Sequence, residues 1–194
     1  MDINILLFDD FETLDAFGPA EVFGGFEAYA LKYFSLKGGT ITSRHNTVIE
    51  TLALNEIKNH DVFLIPGGLG TRSLVNNETF IEKIKEEAQK SKYVLTVCTG
   101  SALLGKTGLL DGIEATSNKK AFAFAKDSGP KVKWIYEARW VKDGKYYTSS
   151  GISAGIDMAL DFVADNLGVK SAEERASHME YIWNKDKSYD PFAL

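Results

Sequence analysis

The chain has 194 residues, 44% hydrophobic and 25% charged, the composition of one globular domain with a sizeable core rather than of a disordered protein. Its 22 basic and 27 acidic residues give a net charge of −5 with no basic run, which excludes the usual electrostatics of a nucleic-acid partner. No apolar stretch approaches the roughly 18–20 residues of a bilayer span, the start has no basic leader segment, and one cysteine forms no internal disulfide, so a cytoplasmic setting without membrane contact is expected.

Ile3-Asn4-Ile5-Leu6-Leu7-Phe8 is a near-continuous apolar run, the pattern of a strand covered on both faces of a parallel sheet. It gives way to Asp9-Asp10-Phe11-Glu12-Thr13-Leu14-Asp15 and then to Gly18-Pro19. Pro19 suits the first turn of a helix, here read over 20–30 with Val22, Phe23, Phe26 and Ala30 at helical spacing. Asp9, Asp10 and Glu12 have the ordinary role of caps or dipole partners, and Glu21 that of partner to a basic or backbone group. Asp15 differs: between Leu14 and Ala16-Phe17 it is expected to lose part of its water. Residues 31–36 and 40–49 read as strands separated by Gly38-Gly39, and Val62 to Ile65 as a buried strand stopping at Pro66-Gly67-Gly68. Residues 78–90 form an amphipathic helix with Ile81, Ile84 and Ala88 on its apolar face.

Next comes Tyr93-Val94-Leu95-Thr96-Val97-Cys98-Thr99-Gly100-Ser101, a buried strand breaking without a spacer into a helix that ends at Gly105 or Gly108. Asp111-Gly112 is a turn. Asp143-Gly144 is a hairpin signal between strands at 134–141 and 145–149. Ile156, Leu160, Val163, Ala164 and Leu167 mark a helix closed by Gly168, with Ser153 and Asp157 in capping positions. A last helix over 171–183 opens with a Ser171-x-x-Glu174 capping box, and Tyr181, Trp183, Tyr189 and Phe192 serve as interface, cleft wall or core. Strands alternating with helices predict a single α/β domain over 1–194, a doubly wound, mostly parallel sheet with helices on both faces. In such sheets function collects beyond the carboxyl ends of the strands, where Asp15, Gly67-Gly68 and Cys98 all fall.

Cys98 has the setting of a nucleophile elbow, and the helix start behind it favours a thiolate; the competing reading is an inert, buried thiol. Gly67 and Gly68 can expose two successive N–H groups as an anion-binding concavity, or simply make a tight turn. With the Thr99 N–H they would form an oxyanion-hole-like site. A charged Asp15 beside Cys98 would oppose the thiolate, so the two either share one proton or Asp15 stays protonated and donates to sulfur. No His/Cys/Asp cluster has metal-ligand spacing, and no cofactor is expected.

The opening Asp-Phe-Glu-Thr-Leu-Asp-x-x-Gly-Pro-x-Glu-Val-Phe, Ile65-Pro66-Gly67-Gly68, Val97-Cys98-Thr99-Gly100-Ser101 and Thr148-Ser149-Ser150-Gly151-Ile152-Ser153-Ala154-Gly155-Ile156-Asp157 resemble the ThiJ/PfpI superfamily in its order. The blocks span about Asn4 to Asn166, and Cys-Thr-Gly with an aspartate at position 15 looks most like the isocyanide-hydratase branch. The resemblance implies a flavodoxin-like, class I glutamine-amidotransferase-like fold and a homodimer with its cleft near the subunit boundary. It also implies a cysteine-dependent hydratase acting on a small molecule, with Cys98 and Asp15 catalytic and Gly67, Gly68 and Thr99 holding substrate or developing charge.

Three departures narrow this. Thr99 stands where proteases of the superfamily have histidine, Thr96 where the broader elbow has glycine, and Asn118 where many relatives have histidine. His45, His60 and His178 fall in segments read as loop or surface, so a Cys-His-Asp triad is not expected. Other readings are a redox or electrophile sensor, a glyoxalase- or deglycase-like enzyme, and a ligand-sensing module of the kind fused to AraC-type regulators; the end at Leu194 leaves no room for a helix-turn-helix.

Overall fold

Ile3, Ile5, Leu6 and Leu7 are wholly shielded from solvent, because the strand that carries most of them lies in the middle of the sheet with neighbours on both sides. The computed structural model describes residues 1–194. In chain order the first half is β1 (Asp2–Leu6), α1 (Thr13–Gly24), β2 (Ala30–Ser35), β3 (Gly39–Thr42), β4 (Val48–Ala53), β5 (Val62–Ile65), α2 (Thr71–Leu74), α3 (Glu78–Lys90) and β6 (Tyr93–Val97). There follow α4 (Gly100–Lys106), β7 (Glu114–Ala115), α5 (Phe122–Ser128), β8 (Lys133–Trp134), β9 (Trp140–Asp143), β10 (Tyr146–Ser149), α6 (Ala154–Leu167) and α7 (Val169–His178). The main sheet runs β3-β4-β2-β1-β5-β6-β10-β9, with β7 and β8 forming a separate two-stranded pair. From β4 to β10 neighbouring strands are parallel, and only the edges β3 and β9 run antiparallel. The helices α1, α6 and α7 pack on one another, and α3, α4 and α5 do so separately, as a sheet covered on both faces requires. The doubly wound α/β expectation is thereby met.

Several boundaries differ from the sequence reading. The helix read over 20–30 begins at Thr13 instead, so Pro19 lies inside α1 and offers no N–H to the Asp15 carbonyl one turn back. The chain leaves α1 at Gly25, turns through Phe26 and Tyr29, whose rings meet edge to face at 5.9 Å, and enters β2 at Ala30. Residues 40–49 are not one strand: β3 and β4 pair around a turn that Asn46 closes with φ 62°. Trp134 joins β8 rather than β9, and the hairpin loop is Gly144-Lys145, with Asp143 paired to Tyr146. Ser171 lies within α7, where its hydroxyl donates back to the Leu167 carbonyl (3.0 Å) instead of capping.

Candidate active site

Strand β6 delivers Cys98 to its carboxyl end, and the next residues turn at once into α4. Cys98 has φ 58°, a left-handed conformation that costs a non-glycine residue about 1–2 kcal/mol. Its neighbours hold it there. The Cys98 N–H donates to the Ser149 carbonyl (3.2 Å), while its own carbonyl accepts from Ser101 Oγ (2.9 Å) and Ser117 Oγ (3.0 Å). A strained backbone pinned from both sides directs the side chain outward from the strand end, as in a nucleophile elbow. Cys98 is nonetheless 94% covered.

Asp15, from the first turn of α1, is fully buried. Its Oδ2 accepts from the Gly67 N–H (3.0 Å), while Oδ1 has no hydrogen-bond partner. A side chain on residue 67 is impossible, since a Cβ there would sit 2.6 Å from the Thr99 nitrogen and 2.9 Å from Asp15 Oδ2. The Gly68 N–H donates to Thr99 Oγ1 (3.1 Å), which also meets Thr71 Oγ1 (3.0 Å). The expectation of two glycine amides waiting for an oxyanion is therefore corrected. Asp15 takes one and Thr99 the other, so Gly67 and Gly68 position these two side chains.

The electrostatics are those of a dry acid pair. Burial pushes the Asp15 carboxyl well above the usual carboxylate range; the Gly67 N–H pulls it back and the Glu12 carboxylate adds to the rise. Burial likewise pushes the Cys98 thiol up, and the neighbouring Asp15 charge adds to this; the Thr99 N–H and the Asn118 amide oppose it. Desolvation thus raises the thiol against the pull of the helix start, which the sequence reading took to favour the thiolate. Two such neighbours hold one negative charge between them far more readily than two.

Asn118 is the residue that sequence reasoning left unassigned. Its Oδ1 accepts from the Ala121 N–H (3.2 Å), closing a 3₁₀ turn at Lys119–Ala121 and turning the amide nitrogen toward Cys98. A Cβ on Gly151 would lie 2.8 Å from the Cys98 sulfur and 2.5 Å from Asn118 Nδ2, so glycine there keeps the approach to sulfur open. The signal was the alignment of Asn118 with a histidine in relatives; its contact with Cys98 spans 20 residues of sequence. A cavity of about 390 Å³ opens over Cys98 and Thr99, and an adjoining one of about 600 Å³ shares Glu12, Asn118, Lys120 and Ile152 with it.

The remaining candidates are distributed away from the sulfur. No histidine lines either cavity: His45 meets Thr13 Oγ1 (3.0 Å), His60 meets Glu87 (3.1 Å), and His178 ends α7. Glu12 makes no helix-capping bond and faces Arg44 (3.5 Å) and His45 (3.6 Å) instead. Glu21 pairs with Arg175 (2.7 Å), as a structural role requires. Asp157 and Ser153 make no cap; Asp157 is fully buried against Arg139 (2.7 Å). Tyr181 and Trp183 pack against the core, and Phe192 lines the larger cavity. No group of three His, Cys, Asp or Glu side chains is placed to hold a metal.

A sequence model described as the DJ-1/PfpI family matches residues 1–165. The chain belongs to the DJ-1/PfpI family. Within that family it is 32% identical over 183 residues to the isonitrile hydratase of Pseudomonas putida, covering 93% of this chain and 78% of that protein. It is 30% identical over 154 residues to a deglycase of Thermococcus kodakarensis, covering 77% of this chain and 89% of that protein. The crystal structure of a ThiJ/PfpI family protein from Pseudomonas syringae superimposes with a TM-score of 0.81 at 28% identity, covering 93% of this chain and 74% of that one.

Proposed function

We propose that this chain is a cysteine-dependent lyase that hydrates small isocyanides to N-substituted formamides. The observation that carries the reading is the buried Cys98–Asp15 pair, a nucleophile whose one proton-carrying neighbour is a carboxyl group with no histidine beside it. Similarity to an isonitrile hydratase supports it.

With one negative charge on the pair, the Cys98 sulfur bonds to the terminal isocyanide carbon and Asp15 gives its proton to that same carbon, leaving a neutral thioimidate and an Asp15 carboxylate. Asp15 then takes a proton from water as its oxygen adds to the carbon, and passes that proton to nitrogen. When the hydroxyl returns its proton to Asp15, the carbon–oxygen double bond forms and the carbon–sulfur bond breaks. The products are the formamide and the original pair, one water consumed. Thr99 N–H and the Asn118 amide stabilise the sulfur whenever it carries charge.

We take the unit as a cytoplasmic homodimer; the exposed Leu14 (43%) and Ile152 (39%) at the cleft rim support a subunit boundary there. Formamide production from a small alkyl isocyanide, followed by proton NMR, tests the activity. Asp15→Asn is expected to lower turnover by about 10²–10⁴-fold. No formamide from the parent protein would overturn the reading.

A further inference from the structure

The cavity over Cys98 is charged in a way that a neutral isocyanide does not use. Its lining holds three cations, Arg44, Arg72 and Lys120, against one carboxylate, Glu12, in a chain whose net charge is −5. Arg44 is the cation that Glu12 engages (3.5 Å). Arg72 and Lys120 have no carboxylate within 4 Å.

The Arg72 side chain and the Lys120 backbone are held in place. The Arg72 guanidinium lies over the Phe124 ring, 3.7 Å from its centre, a stacked arrangement that leaves the edge of the guanidinium fork for a planar anion. Lys120 belongs to the 3₁₀ turn that Asn118 closes, so the bond that aims the Asn118 amide at Cys98 also fixes the lysine's backbone. The preceding Lys119 points the other way, into the protein, and donates to the Ala138 carbonyl (2.6 Å). Burial raises the proton affinity of the Cys98 sulfur and the Asp15 charge adds to it, while the Thr99 N–H and the Asn118 amide oppose it; neither Arg72 nor Lys120 takes part. The two cations are therefore left to act on the outer part of whatever fills the cavity.

We propose that this cleft selects small electrophiles carrying a carboxylate, with Arg72 and Lys120 binding the carboxylate while Cys98 meets the electrophilic carbon. Substrate selectivity here rests on the reading of Cys98 as the nucleophile but not on the hydration that follows.

Alkylation tests it without requiring hydratase activity. Iodoacetate and iodoacetamide deliver the same carbon to sulfur and expel the same iodide, but only iodoacetate carries a carboxylate. Rates on the full chain at one pH, read by intact mass and normalised to N-acetylcysteine, give an anion preference. That preference is expected to be about tenfold for the parent protein, and to fall toward one in the Arg72→Gln, Lys120→Gln double variant and in about 0.5 M salt. Both side chains are exposed, so the double variant keeps the fold; thermal melting checks this. A parent preference at or below that of N-acetylcysteine, or one that the double variant leaves unchanged, overturns the proposal. Isocyanoacetate and its methyl ester run in parallel as isocyanides: if neither is hydrated while the alkylation preference stands, the hydratase reading fails and the anion site does not.

Discussion

Cys98→Ala is expected to lower the proposed formamide production by at least about 10⁴-fold while leaving the thermal midpoint near that of the parent protein. In the proposed mechanism sulfur is both the atom that bonds to the substrate carbon and the leaving group that regenerates the site. Without it Asp15 has no adduct to protonate, and water alone must attack a carbon that is weakly electrophilic. The fold does not depend on the thiol, because the elbow is held through the backbone by Ser149, Ser101 and Ser117. Alanine keeps the same left-handed conformation and loses only a small buried group. Turnover above about a tenth of the parent rate would exclude covalent catalysis at this position.

Arg139→Met destabilises the protein by about 3–5 kcal/mol at neutral pH, lowering the thermal midpoint by roughly 6–20 °C. The guanidinium donates through Nε to Asp157 Oδ2 (2.7 Å), its Nη2 lies at the same distance, and Nη1 faces Asp190 Oδ1 (3.7 Å). All three side chains are buried. Methionine would leave the Asp157 carboxylate with the Tyr181 hydroxyl and the Asn184 N–H (both 3.0 Å) but no positive partner. Burial already raises the Asp157 pKa against the pull of Arg139; removing the arginine raises it further. A carboxyl whose folded-state pKa is raised destabilises the fold as pH climbs through that value, so the loss in Arg139→Met shrinks on acidification. Thermal melts at pH 5 and pH 7.5 check the sign. Pairing Arg139→Met with Asp157→Leu should recover most of the stability.

How much of this was legible in the sequence depended on distance along the chain. The bounds of β5, β6 and α3 coincide with their readings, because each is a short buried run or strong helical pattern ended by a sharp breaker. Cys98 and Asp15 were legible for the same reason: a strand broken by a turn marks the one, an acid among apolar neighbours the other. Pro19 misled because its preference for a first turn is a local rule, and α1 overrides it to bury Ala16, Ala20 and Phe23 against the sheet. Asp157 read as a cap because its partner Arg139 lies on the strand side of the fold, 18 residues away. The occupied Gly67 and Gly68 amides were likewise invisible: whether a donor is free depends on side chains brought from α1 and from the elbow.

The most direct measurement is the pH dependence of Cys98 alkylation by iodoacetamide, in the parent protein and in Asp15→Asn. For a buried thiol beside a carboxyl group, the parent profile is expected to rise above the free-thiol value of about 8.5. Asparagine removes the neighbouring negative charge, so its profile should shift to lower pH. A profile that Asp15→Asn leaves in place would contradict a coupled Cys98–Asp15 pair.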